Sequence, residues 1–375
     1  MKPAVSRTAF FRSARRTAAA RSVFWAALIS FALLVPPLAA AAQTPPAKSP
    51  ETAEPLVVYS ALTATTAQLP LMGALRAGWP PDRAVRLEWW KNLDDLRSVM
   101  LAGRGDVWIG HLESFARAAA RGAPVTLTAV TVWRKFHFVS APLPLGPDGD
   151  LAYPANVREL LAFATASGEA VTLTPQNAPS AGLLARLTAP AGPVVESLPP
   201  QQLSLELLQG RRRMALMPEP LVSSVTAKNP QLKIIGSLEE AYAEKFGGPG
   251  LTPQAGTAVN RALLEREPAL VEELLTLMER TAAELAGRPA EAAALLPPET
   301  AEALGVDVLT ASLVREPLIV RRAAEVRPEI DAFLRLAAPE LFEPGAPAIP
   351  ESFWGGAAAG QTTGPPAAQA GRPAD

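Results

Sequence analysis

From residue 56 to residue 235 short apolar runs alternate with stretches of helical periodicity, and after about residue 260 only helical patterns follow. Few folds accept that order. Leu56–Ser60, Val85–Trp89, Val107–Gly110 and Val125–Val132 read as buried strands, and Thr65–Ala77, Asn92–Ala102 and His111–Arg121 as the helices between them. In the second of these helices Leu93, Leu96, Val99 and Met100 fall at helical spacing, and Gly103 stands just past the end. The alternation resumes with helix Asn156–Ala166, strand Ala170–Thr174, helix Ser180–Leu187, strand Val194–Ser197, helix Gln201–Leu208, strand Arg213–Met217, helix Leu221–Ala227 and strand Lys233–Ile235. Strands separated by helices of ten or so residues imply βαβ units and mainly parallel sheets, hence an α/β class. The longest helical pattern, Ala269–Ala286, keeps Leu270, Leu274, Leu277 and Leu285 on one stripe and is stopped by Gly287.

The first 42 residues carry six basic side chains and no acidic one, then an apolar run of 12 residues from Val23 to Leu34, then Pro36-Pro37 and alanines. This is the layout of a secretory signal peptide. A spanning helix needs about 20 apolar residues, so cleavage after Ala40-x-Ala42, leaving Gln43 first, is expected rather than a permanent anchor. The formal charge of −1 becomes −7 without the leader, which argues against a nucleic-acid partner. The absence of cysteine excludes a disulfide framework, a thiolate metal site, a cysteine nucleophile and a lipoprotein anchor. The periplasm is therefore the expected compartment. Residues 43–54 and 355–375 are rich in Pro, Gly and Ala and read as a linker and a tail, leaving a body long enough for two domains.

The joins between the two βα series imply more than two beads on a string. Lys135–Ser140 has strand character and directly follows Val125–Val132, while Leu251–Val259 leads into helices with no new strand series of their own. Those helices most simply return to the first lobe. The expected division is lobe 1 from 55–134 plus 258–354 and lobe 2 from 135–257, joined by two crossings that make a hinge. A hinge between two open sheets turns the carboxyl ends of their strands toward one cleft, where ligands bind.

Three segments carry a resemblance. Leu101–Pro124 (LAGRGDVWIGHLESFARAAARGAP), the strand and Glu-Pro pair of Arg213–Leu221, and Ala258–Leu296 with Glu267-Pro268 opening a long helix resemble the nitrate/sulfonate/taurine (NitT/TauT) family of ABC solute-binding proteins. The likeness spans about 55–310. It implies a two-lobed periplasmic-binding-protein fold of type II, with two parallel-rich sheets, flanking helices and a two-crossing hinge. It also implies capture of a small solute without chemistry, delivery to an ABC permease, a monomer and no cofactor. The Gly/Pro-rich stretches Pro144–Asp150 and Gly247–Pro253 depart from the family pattern, and the tail past Ser312 has no match in it.

Strand ends and helix starts supply the candidate ligand contacts, since free N–H groups there face polar or negative atoms. In lobe 1 these are Ser60, Thr63, Thr65, Gly110, His111, Glu113 and, near the first crossing, Trp133. In lobe 2 they are Gln176, Asn177, Ser180 and Glu219. Each residue type also serves as an ordinary cap or turn. His111 and His137 are the only histidines and have no carboxylate at metal-ligand spacing, so no metal site is expected. There is no phosphate loop, G-x-S-x-G or H-E-x-x-H. The glutamates suit a cationic or amine-bearing solute, the hydroxyls and helix N-termini suit a sulfonate, nitrate or carboxylate, and a pyrimidine-like solute is a further candidate. A periplasmic enzyme or a sensory domain on the same fold remains the alternative.

Overall fold

The computed structural model of the chain describes residues 54–355 apart from 147 and 175–178. The signal peptide, most of the linker and tail, Gln176 and Asn177 lie outside the described residues. Strands β1 (Leu56–Ser60), β2 (Val85–Trp89), β3 (Val107–His111) and β4 (Val125–Val132) come first, followed by β5 (Phe136–Ser140) and a small hairpin, β6 (Leu143–Pro144) with β7 (Leu151–Ala152). Then come β8 (Val171–Leu173), β9 (Val195–Ser197), β10 (Met214–Pro218), β11 (Lys233–Ser237), β12 (Ala255–Asn260) and β13 (Arg321–Arg322). The helices are α1 (Leu69–Arg76), α2 (Leu93–Leu101), α3 (Leu112–Ala120), α4 (Val157–Ser167), α5 (Pro179–Thr188), α6 (Pro200–Leu208) and α7 (Leu221–Lys228). They continue with α8 (Leu238–Phe246), α9 (Arg261–Arg266), α10 (Pro268–Leu285), α11 (Pro289–Ala293), α12 (Pro298–Leu304), α13 (Val306–Arg315) and α14 (Arg327–Ala337).

Two sheets form, in the order β13-β4-β12-β3-β1-β2 and β11-β5-β10-β8-β9. The sheets are mixed rather than parallel-rich. β1 runs parallel to β2 and β3, and β8 to β9 and β10, but β12 is antiparallel to both β3 and β4, and β5 to both β10 and β11. The reason is the connectivity: β5 and β12 are entered by crossing from the other sheet, so they run against the strands that βαβ units lay down. Side chains alternate between two buried faces along each central strand. Val107 and Ile109 join the cluster of Leu71, Val259 and Met278, whereas Trp108 between them packs with Phe115 and Leu127. Val139 and Met217 pack with Leu203 and Val225, whereas Phe138 and Leu216 join the cluster that runs on from the first sheet.

Helix α1 starts later than its sequence pattern implies. Pro70 sits in its first turn, where a missing N–H costs nothing, and a proline disfavours helical backbone just before it. Residues 62–67 therefore form turns that leave Thr65 and Thr66 ahead of the helix. The chain's last third does not stay with the first sheet alone: α14 packs against α3 of the first lobe and α5 of the second. Contact with α5 is close, since a Cβ on Gly182 would meet the carbonyl of Leu336 well inside van der Waals distance. No helix among the described residues is long and apolar enough to cross a membrane.

Candidate functional site

Both crossings run side by side between the sheets. Thr252 N–H donates to Trp133 O (2.8 Å) and Gln254 N–H to Val132 O (2.9 Å), so the outgoing and returning strands are hydrogen-bonded to each other. Glu239, in the first turn of α8, ties them to the second lobe. Its Oε1 accepts from the amides of Lys135 (3.0 Å) and Phe136 (3.2 Å) and from the Gln254 side-chain amide. Burial raises the Glu239 carboxyl above its ordinary range, and the amide of Lys135 opposes that shift.

Beside this junction the two lobes present polar groups to one another. From the first lobe come Thr65 and Thr66, in the turn after β1. The crossing itself supplies Lys135, and the second lobe supplies Glu219 and Ser223, at the turn from β10 into α7. Between them lies the end of α13. Glu316 is 2% exposed and its carboxylate accepts from Thr65 Oγ1 (3.0 Å), Ser312 Oγ (2.8 Å), Thr66 Oγ1 and Lys135 Nζ (3.1 Å). Arg315, the preceding residue, donates from Nε to Glu219 Oε1 (2.6 Å) and from Nη2 to Ser223 Oγ. The other oxygen of Glu219 accepts from Ser223 N–H (3.1 Å) and Oγ (2.8 Å). Two imidazoles flank these groups. His137 is buried with Nε2 unpartnered, and its pKa is lowered to about 4, first by burial, while Glu316 and Arg315 act on it in opposite senses. His111, the residue before α3, has a buried Nδ1 without a partner, although 34% of its side chain is exposed, and burial and the Lys135 charge lower it to about 4.

The residues picked out from the sequence distribute unevenly around this centre. Thr65 and Glu219 are in it, through Glu316 and Arg315, and His111 and Trp133 border it. The Trp133 indole donates to Ile319 O (3.1 Å). Ser60 is buried and donates to Gln68 Oε1 (3.0 Å), Thr63 is exposed, and Gly110 lies under Leu96 and Phe115, where a Cβ would come within 2.6 Å of Leu96 Cδ2. Glu113 is fully buried in the first turn of α3, with Oε1 3.9 Å from His111 Nδ1 and neither oxygen hydrogen-bonded among the described residues. Its carboxyl is raised to about 7 by burial, against the charges of Arg117 and Arg97. Ser180 is buried, with no hydrogen-bond partner for its hydroxyl among the described residues.

Three solved structures share this fold. An ABC transporter from Parabacteroides distasonis is 16% identical, with 80% of this chain and 98% of that one covered and a TM-score of 0.59. The periplasmic aliphatic sulphonate binding protein SsuA of Escherichia coli is 14% identical over 80% and 91%, with a TM-score of 0.57. The chain has the periplasmic-binding-protein fold. A periplasmic nitrate-binding protein, NrtA of Synechocystis PCC 6803, has it too, at 13% identity, 78% and 82% coverage and a TM-score of 0.55. No protein-family model matches the chain, and no curated protein does.

Within the binding-protein fold the groups between the lobes gain a positional meaning, because open α/β sheets offer ligands the crevice beyond their strand ends. Thr65 follows β1 there and Glu219 follows β10. Sequence reasoning missed Thr66, Lys135, Ser223, Arg315 and Glu316. Lys135 was visible only as the first residue of the strand-like run Lys135–Ser140, and Arg315-Glu316 looks like any charged helix end.

Proposed function

We propose that this chain is the periplasmic solute-capturing component of an ABC importer, binding a small polar solute between its lobes and passing it to a membrane permease without chemistry. The observation that carries the reading is the convergence of Thr65, Thr66, Lys135, Glu219 and Ser223, from both lobes and the crossing, on the adjacent residues Arg315 and Glu316. Three hydroxyls and an ammonium already hold one carboxylate there, and the same donors suit the oxygens of a sulfonate, nitrate or carboxylate. This agrees with the sulphonate and nitrate named for two proteins of the same fold. His111 and Trp133 would line the rim.

A ligand that binds only the folded, closed state stabilises it by RT ln(1 + [L]/Kd), about 2.7 kcal/mol at a hundredfold excess over Kd. A thermal-melt screen of sulfonates, nitrate, carboxylates, amines and pyrimidines on the leaderless protein should give one chemical class a shift of several degrees. Mass spectrometry of solute retained through native purification should return the same class. If no compound shifts the melt and nothing is retained, the capture reading is wrong.

A further inference from the structure

The dipeptide Arg315-Glu316 touches each half of the cleft with the charge that half is built to hold. Its carboxylate lies on the hydroxyls of Thr65 and Thr66 and on Lys135, and its guanidinium on Glu219 and Ser223. A side chain chosen only to close a gap would not need this. Buried ion pairs add little net stability over apolar residues of the same volume, because each charge first loses its hydration. A role in setting a conformational state is the better-attested reason to keep one.

The placement of the dipeptide supports such a role. Pro317 cannot continue α13, and residues 317–320 run without regular structure to β13, which pairs with β4. The segment thus forms a strap over the crossing, fastened upstream by Leu309 and Leu313 in the apolar cluster of α11 and α13 and downstream by the β13 pairing. On the way Ile319 O accepts from the Trp133 indole (3.1 Å). His137, 4% exposed, lies beside the same pair and feels the charges of both Glu316 and Arg315.

We infer that Arg315-Glu316 is a tethered stand-in for the solute, which fills the cleft from within, holds the lobes together, and must be displaced by an oxyanion-bearing solute before capture. The inference rests on the capture reading for the identity of the site, and it adds self-closure and competition at the same donors. Displacement costs the solute part of its affinity, since only the fraction of molecules with the strap released can bind.

Two measurements on the leaderless protein test it, with methanesulfonate and acetate as probes. Scattering should find the wild type compact without any probe, and Arg315→Ala/Glu316→Ala expanded and returning to the compact size when probe is added. Calorimetry should find Glu316→Gln, which keeps the shape of the side chain and removes its charge, binding at least one probe about tenfold or more tightly than wild type. Glu316→Gln also serves if the double variant fails to fold. Wild type and Glu316→Gln binding the probes equally well would leave capture standing and overturn the stand-in. An expanded double variant that binds neither probe would keep the latch and remove the oxyanion class. A double variant as compact as wild type, with unchanged affinity in Glu316→Gln, overturns the inference outright.

Discussion

Glu113 shows how burial enters residue-level chemistry. Its place just after β3 makes it a reasonable cleft residue, and its Oε1 lies 3.9 Å from His111 Nδ1, yet its carboxyl is wholly buried in the first turn of α3 with neither oxygen hydrogen-bonded among the described residues, and burial raises it to about 7. An acid raised in the folded state binds its proton more tightly there than in the unfolded chain. Its contribution to stability is therefore full below its ordinary pKa and is lost as the pH rises toward 7. Glu113→Gln removes that loss. Urea unfolding of the two proteins should show the variant gaining about 2–3 kcal/mol relative to wild type between pH 5 and pH 8. Comparing the proteins at each pH cancels the histidines, which titrate in both. A difference independent of pH would mean that Glu113 is solvated or paired. Residue types could nominate Thr65 and Glu219, but burial direction is not written in type or spacing, so Glu113 and Thr63 looked equally suitable.

At the scale of elements, what was legible is what depends on near neighbours. Leu56–Ser60, Val85–Trp89 and Val125–Val132 are strands with the ends that the sequence implies, because an apolar run between turn residues is a local signal. The start of α1 is displaced by Pro70, also a local effect. The end of α13 was not legible at all: Glu316 meets Thr65 across 251 residues of sequence, and no period or cap encodes that meeting. The docking of α14 is of the same kind, and it depends on one small residue. A Cβ on Gly182 would lie 3.2 Å from the carbonyl carbon of Leu336 and nearer still to its oxygen, and backbone cannot move aside as a flexible side chain can. Gly182→Ala should cost about 1–3 kcal/mol in thermal or urea unfolding. It should also speed amide exchange across 327–337 more than in β4 or β10. Unchanged exchange in that segment would mean that α14 is held by α3 alone.

For the whole molecule the crossing between lobes is what the proposed hinge motion would turn on, and Glu239 bonds to both of its strands. One oxygen of this buried carboxylate accepts from the amides of Lys135 and Phe136 on the outgoing strand and from Gln254 on the returning one. The proposed hinge motion would load the Gln254 bond above all, because the acceptor rides on α8 of the second lobe while Gln254 leads into β12 of the first sheet. Glu239→Ala leaves buried donors without an acceptor, each costing about 1–3 kcal/mol where water cannot replace it. Glu239→Gln keeps a carbonyl oxygen in place for these donors, at the cost of an N–H₂ group where Oε2 has no partner, so part of the loss should be recovered. Amide exchange read at Lys135, Phe136 and Gln254 together should quicken in the alanine variant and return toward wild type in the glutamine variant. Scattering profiles should broaden in the same order, since a looser hinge samples a wider range of lobe angles. Were the alanine variant to melt lower with those three amides unchanged, Glu239 would be a packing residue of α8, and control of the lobe angle would pass to the strap at residues 315–320.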